Sequence, residues 1–305
     1  MVQGVNKNVI VTNDGRQYQK PSKARNVASF YAGSAAQAAA AIPLIPLSGK
    51  IMAGMREINN SVDTAEITKA IKQAMEISGM KEKGVRLYNS SPKIILTPGG
   101  IKRNFIEFIS KLLSRPANPK KPFKPLNAYN NYVIRQIRHG YNACFNPKNN
   151  GVYINIDKMG TSAFHEIGHA INRNSSKFWR GMQKLRKPMM LAAMAFPMIA
   201  LFKRKKAEGE EPKSIIDKTT TFIKNNVGKL TTLAFVPVVA EELMASARGN
   251  ALAKKVLSPE LVSKVVKSNR LGAIAYIATG IACGVGAYLG NKVRDAIAKP
   301  KEIKQ

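Results

Sequence analysis

Residues 161–174 read Thr-Ser-Ala-Phe-His-Glu-Ile-Gly-His-Ala-Ile-Asn-Arg-Asn. Thr161 or Ser162 can cap a helix that begins here. Inside that helix His165 and His169 stand four positions apart, so their side chains lie one above the other on one face. Two imidazoles at this spacing can hold one metal ion. Glu166, one step along, can reach a water on that ion and take its proton. Ala163, Phe164, Ile167, Gly168, Ala170 and Ile171 are apolar or small, which suits a buried helix. A chance His-Glu-x-x-His on a solvated helix would not ordinarily carry such flanks. The chain has three histidines, so this one helix holds two of them.

A catalytic zinc takes three protein ligands and keeps one position open. His139 lies upstream in a basic stretch, Arg135 to Gly140. Residues 172–175 are Asn-Arg-Asn-Ser, so no HExxHxxGxxH pattern supplies a third histidine. Glu241 and Glu242 are the better candidates, because they close an apolar run in a chain where acidic residues are scarce. Of the two, Glu242 is the choice. It leads a segment in which Ala245 and Ser246 fall one turn on, small enough for two helices to approach closely. The plain alternative is that both glutamates pair with the abundant lysines. The expected metal set is therefore His165, His169 and Glu242, holding one Zn2+ ion, with Glu166 as the catalytic acid–base group.

The sequence HEIGHAIN, followed after an apolar insert by E-x-x-A-S-x-R, resembles the membrane-associated neutral zinc metallopeptidases of the gluzincin type. It is most similar to the bacterial YugP-like zinc peptidases, and more loosely to the CAAX-prenyl endopeptidase and HtpX-like membrane proteases. The resemblance spans roughly Gly151 to Ala251 and leaves the first 125 residues without a counterpart. It implies a zincin-like core, zinc on two His and a distal Glu, and a general base inside the motif. Those roles carry to His165, His169, Glu242 and Glu166. Many relatives have Asp four residues after the ligand Glu, where this chain has Ser246, so the contact it makes to a ligand histidine is weaker here or supplied elsewhere. The resemblance also implies a strand that pairs with extended substrate. Val152 to Ile156 is the candidate, the alternative being an ordinary interior strand. Tyr153 and His139 are the candidate donors for transition-state charge.

Composition narrows the class. The chain has 305 residues, 45% of them hydrophobic, so it is neither disordered nor low-complexity overall. Lys plus Arg number 49 against 18 Asp plus Glu, a net charge of +31. Such a surplus calls for an anionic partner. Two cysteines, Cys144 and Cys283, exclude a disulfide scaffold and a four-cysteine zinc module. The first 25 residues hold no compact apolar core, so no ordinary cleavable signal peptide is expected at the start.

Four apolar runs stand out. Residues 26–49 lack any charge but are Ala-rich and interrupted by Pro43 and Pro46, so they read equally as an anchor or a buried helix. The runs 188–202 and 230–240 hold 15 and 11 uncharged residues, and 271–290 holds 20. Residues 26–49 are long enough to span a bilayer, which takes about 20 residues, and of the other three runs only 271–290 meets that length unaided. His169 and Glu242 must meet at one ion, so the two middle runs either both cross a bilayer or both do not. Their shortness favours a re-entrant or interfacial hairpin. The basic stretch Lys177 to Lys187 would then lie on anionic lipid headgroups. Basic residues on both candidate sides leave the orientation rule nearly silent; a cytoplasmic catalytic face is expected.

Elsewhere, Ser61-Val-Asp63 opens a capped amphipathic helix with Ile67, Ile71 and Met75 on one face. Strands are expected at 85–89, 93–100 and 151–157, helices at 104–113 and 128–139, a proline-rich linker at 115–126 and a turn at 146–150. The expected fold is α+β, mainly helical, with a zincin-like metallopeptidase core and hydrophobic membrane-associated helices. Its parts are a basic, Ala-rich segment (1–50), a small α/β region (51–125), a metallopeptidase core with a hydrophobic hairpin insert at 188–240 (126–255), and a membrane helix with a basic tail (256–305). The expected function is zinc-dependent hydrolysis of peptide bonds at a membrane. Protein or peptide substrate and anionic lipid are the partners, with no specific nucleic acid. The rival is a non-catalytic basic protein that binds membrane or nucleic acid and carries a degenerate motif.

Overall fold

The structure, a computed structural model, describes residues 8–90 and 133–303. The features expected at 93–100, 104–113 and 115–126 lie outside the described residues, as does the start of the 128–139 helix. Residues 133–139 are helical. In chain order the elements are β1 (Val9–Val11), β2 (Gln17–Gln19), α1 (Lys23–Ala39), α2 (Leu44–Asn60), α3 (Thr64–Ile77), β3 (Arg86–Asn89), β4 (Cys144–Asn146), β5 (Gly151–Ile154), α4 (Ile156–Met159), α5 (Ala163–Ser175), α6 (Lys177–Phe202), α7 (Ile215–Asn225), α8 (Val227–Val256), α9 (Pro259–Ile297) and β6 (Lys301–Glu302). The fold is mainly helical with two small sheets, as the sequence leads one to expect. It divides into two compact units, each built from separated pieces of chain. One comprises residues 48–183 and 240–275; the other comprises residues up to 47, 184–239 and those from 276 on.

The first unit holds the His-Glu-x-x-His helix. Asp63 caps α3 by accepting the Ala65 N–H at 2.7 Å. The face made by Ile67, Ile71 and Met75 is buried in one cluster with Val152, Phe164 and Ile167. Three strands form a sheet in the order β3-β5-β4, with β5 parallel to β3 and antiparallel to β4. The turn expected at 146–150 joins β4 to β5. Asn150 takes φ +53 there, a left-handed conformation that Asn tolerates. Val152 and Ile154 face the core under α5, while Tyr153 points to the opposite side and stacks on Tyr88 at 4.7 Å. The strand at Val152 is therefore interior: its neighbours occupy both sides. Among the described residues β3 and β4 are the two edges.

Ser162 does not cap α5, and among the described residues its hydroxyl has no partner. A 3-10 turn, Gly160–Ser162, leads into the helix instead. Thr161 pins that turn: its backbone N–H and its hydroxyl each lie 3.0 Å from Asn59 Oδ1 on α2, and the hydroxyl lies 3.1 Å from Ser268. Two tertiary anchors thus do the work that a local cap would do.

The second unit packs α1, α6, α8 and α9. Ala193 clusters with Ala234 and Phe235, and Ala200 with Val227 and Ala287, so α6 and α8 run antiparallel. Gly33 of α1 meets Gly290 of α9; a Cβ on Gly33 would lie 2.7 Å from the Gly290 carbonyl oxygen. Cations close the helix ends. Arg25 donates to the Ile297 carbonyl at 2.6 Å, Arg294 to that of Leu201 at 2.7 Å, and Lys224 to that of Ala200 at 3.1 Å.

Four helical segments, residues 23–60 and helices α6, α8 and α9, are long and apolar enough to cross a membrane, which indicates membrane association. Helices α6 and α8 have 26 and 30 residues, far more than the uncharged runs that mark them in the sequence. Helix α6 continues upstream through the basic stretch from Lys177. Helix α8 continues past Glu241, where the uncharged run ends, because that side chain is buried and hydrogen-bonded. The short-hairpin expectation rested on the runs rather than on the helices. In the 26–49 run the chain breaks between α1 and α2 at residues 40–43, next to Pro43, which cannot continue a helix.

Candidate metal centre

Two helices build the site, and glycine sets their distance. A Cβ on Gly168 of α5 would overlap the backbone of Ala245 on α8, lying 2.7 Å from its carbonyl carbon. A Cβ on Gly249 of α8 would lie 2.5 Å from the Phe164 carbonyl oxygen. The two backbones therefore touch at two points about one turn apart. That contact sets His165 and His169 against Glu241, Glu242 and Ser246.

Three donor atoms converge. His165 Nε2 lies 3.0 Å from Glu242 Oε2 and 3.0 Å from His169 Nε2, and His169 Nε2 lies 3.4 Å from Glu242 Oε2. Ligand atoms at zinc distances in a tetrahedron are separated by about 3.3 Å. The triangle has that size.

The other ring nitrogens are held separately. His169 Nδ1 lies 2.8 Å from Glu241 Oε1 and His165 Nδ1 lies 3.0 Å from Ser246 Oγ. A carboxylate only accepts, so Glu241 places the His169 proton on Nδ1 and turns the Nε2 lone pair toward the triangle. His165 Nε2 and an oxygen of Glu242 point to the same spot. Donor atoms this close can share one cation. Burial opposes a charged His169, yet the Glu242 and Glu241 carboxylates raise its pKa well above the usual histidine value. That is the field of a site made for positive charge.

Glu241 itself is fully buried. Its Oε1 accepts from Asn172 Nδ2 at 2.9 Å and from Gln183 Nε2 at 2.8 Å as well as from His169. Gln183 Nε2 also donates to the His169 carbonyl at 2.8 Å. Glu166 is buried on the same helix and accepts a hydrogen bond from the Phe145 backbone N–H on the edge strand β4; burial raises its pKa. His165, Glu166 and His169 form one metal-competent group, and His169, Glu241 and Glu242 a second that shares His169.

The buried cluster of His165, His169, Glu241 and Glu242 can thus hold a metal ion. Of the residues singled out from the sequence, the structure brings His165, Glu166, His169, Glu241, Glu242 and Ser246 together. The serine occupies the contact for which the resemblance leads one to expect Asp. Each glutamate meets a histidine: Glu242 at His165 and Glu241 at His169. His139 joins neither metal-competent group among the described residues; its ring lies 6.2 Å from that of Tyr141. The Tyr153 hydroxyl is engaged by Asn149 at 2.7 Å, on the sheet face away from α5. Asn172 and Gln183 escape a sequence reading. Asn172 follows His169 at helical spacing, a weak signal, while Gln183 sits in a basic stretch with nothing to mark it.

Comparison of the chain with protein-family models, curated proteins and solved structures finds no match.

Proposed function

We propose that this chain is a membrane-associated zinc metallopeptidase of the gluzincin type, with a zincin-like core. The observation that carries the reading is the triangle of His165 Nε2, His169 Nε2 and Glu242 Oε2, each imidazole held from behind by its own hydrogen-bond partner. Bound there, a zinc ion would polarise a scissile carbonyl and make a water molecule acidic enough to attack it at neutral pH. The protein's own part is proton handling and orientation. Glu166 takes the proton of the attacking water and returns it to the departing amide nitrogen. Its buried carboxylate is kept in place by the Phe145 N–H. Glu241, Asn172 and Gln183 hold His169 in one tautomer and one plane. The edge strand β4 offers backbone groups beside Glu166 for an extended peptide.

On this reading the partners are protein or peptide substrates and anionic lipid, and the catalytic face is cytoplasmic. Two measurements test it together: zinc content of the purified full chain, and hydrolysis of casein by wild type and Glu166→Gln. We expect about one zinc per chain in both proteins and hydrolysis by wild type alone. Absence of zinc from the wild type would leave the rival, a basic binding protein with a degenerate motif.

A further inference from the structure

We propose that a second site in the unit of residues 48–183 and 240–275, separate from the metal centre, binds a phosphate group. Lys83, Lys148, Arg173 and Arg180 line one cavity of about 530 Å³ together with Asn149 and Asn174. Among the described residues no carboxylate lines it. Among the described residues none of the four cations pairs with an acidic side chain, although other lysines and arginines of this chain do.

Three separate stretches of chain supply these groups: the α3–β3 loop, the β4–β5 turn, and the junction where the last turn of α5 meets the first turn of α6. The cavity is held in shape. Asn150, in its left-handed conformation, bonds the Lys83 carbonyl at 3.2 Å and Asn174 at 3.4 Å. Arg180 Nε donates to the Arg173 carbonyl at 2.8 Å, which fixes the guanidinium plane and leaves both terminal nitrogens for a ligand. Lys83 Nζ bonds Ser175 Oγ at 3.0 Å.

Four cations gathered without a counter-charge repel one another; an anion that bonds several of them removes that cost. Two guanidinium forks and two ammonium groups suit the tetrahedral oxygens of phosphate better than a single planar carboxylate. The phosphate has two possible sources, a lipid headgroup or a soluble phosphate. Arg180 lies eight residues before the uncharged run 188–202, which makes the headgroup a natural source. The site stands whether or not the metal centre is catalytic.

The test is thermal melting of the full chain in detergent. Inorganic phosphate is added in one arm. In the other, micelles carry either phosphatidic acid or phosphatidylcholine. We expect phosphate or phosphatidic acid to raise the melting temperature, with phosphatidylcholine inert. Arg173→Gln with Arg180→Gln should weaken the apparent affinity at least about tenfold. Lys148→Gln, an exposed change that leaves folding alone, should weaken it about threefold. Lys254→Gln with Lys255→Gln removes the same charge elsewhere and should leave affinity unchanged. A response to phosphatidic acid alone assigns the headgroup; a response to inorganic phosphate assigns the soluble group. No response in either arm, or equal loss in the pocket and control variants, overturns the proposal.

Discussion

Gly168 on α5 rests directly on the backbone of Ala245 on α8, with no room for a Cβ between them. Everything at the metal centre depends on that contact, because the two histidines come from one helix and the carboxylates from the other. Gly168→Ala forces apart two backbones rather than a flexible side chain. We expect a loss of about 3 kcal/mol in stability and a parallel loss of bound metal. Melting curves and metal content of the variant, compared with Gly181→Ala in open space, check this. A Gly168→Ala protein with normal melting and full metal would show that the helices do not meet there.

Glu242 and Glu241 are adjacent but do different things, because neighbouring helical positions point about 100° apart. Glu242 faces the Nε2 atoms of both histidines, and Glu241 faces Nδ1 of His169. Glu242→Gln should remove most of the bound zinc, since a neutral amide oxygen is a poor ligand for a divalent ion. Glu241→Gln should weaken binding about 10–100-fold without abolishing it, the usual effect of losing a group that orients a ligand histidine. Zinc titration of the two variants side by side reads this directly. The reverse order of severity would move the ligand assignment by one residue.

What the sequence shows and what it hides follow from where the information lies. His165, Glu166 and His169 are legible because helical spacing alone places them on one face. Glu242 is legible as a scarce acid beside small residues. The role of Glu241 is not, because it depends on which side of α8 meets α5, and that is fixed by Gly168 and Gly249 only once the helices pack. Gln183 reaches Glu241 from a segment whose lysines and arginines suggest nothing but solvent or headgroups. Strand β4 is three residues long and too short to show alternation. The long helices are underread because the uncharged runs stop at Lys187 and Glu241, whereas the hydrogen-bonded helix goes on.

Removing the metal should make stability fall as pH rises. In the folded, metal-free chain, burial works against a charged His169, but Glu242 and Glu241 together raise its pKa well above 6.5. A raised pKa means that the folded state binds the proton more tightly than the unfolded state. That contribution is complete below about pH 6.5 and is lost as pH climbs through the folded value. Burial raises Glu166 as well, above 4.5, and its contribution has the same sign. Chelator-treated protein should therefore melt at lower temperature at pH 8 than at pH 6. The metal-loaded protein should show a smaller slope, because the ion takes the place of the proton. Equal slopes with and without metal would mean that His169 is not at the metal.

Attachment to the membrane should survive high salt. A net charge of +31 by itself could hold the chain on anionic lipid, and such binding is screened as ionic strength rises. The helices argue for more than charge. Segment 23–60 and helices α6, α8 and α9 each carry an apolar window of spanning length. Their surfaces leave Leu191, Met194, Leu233 and Ile281 exposed, side chains that water would not favour on a soluble bundle. Helices α6 and α8 form an antiparallel pair, so a crossing by one is matched by the other and the chain returns to the side it left. Membranes washed in concentrated salt, then in alkaline carbonate, should retain the protein, and detergent should release it. Cutting the chain after Arg270 removes the 20-residue run 271–290 but leaves segment 23–60 and helices α6 and α8, so the shortened chain should still resist carbonate. Complete release of the intact chain by salt would show that charge alone holds it and that none of the four segments crosses.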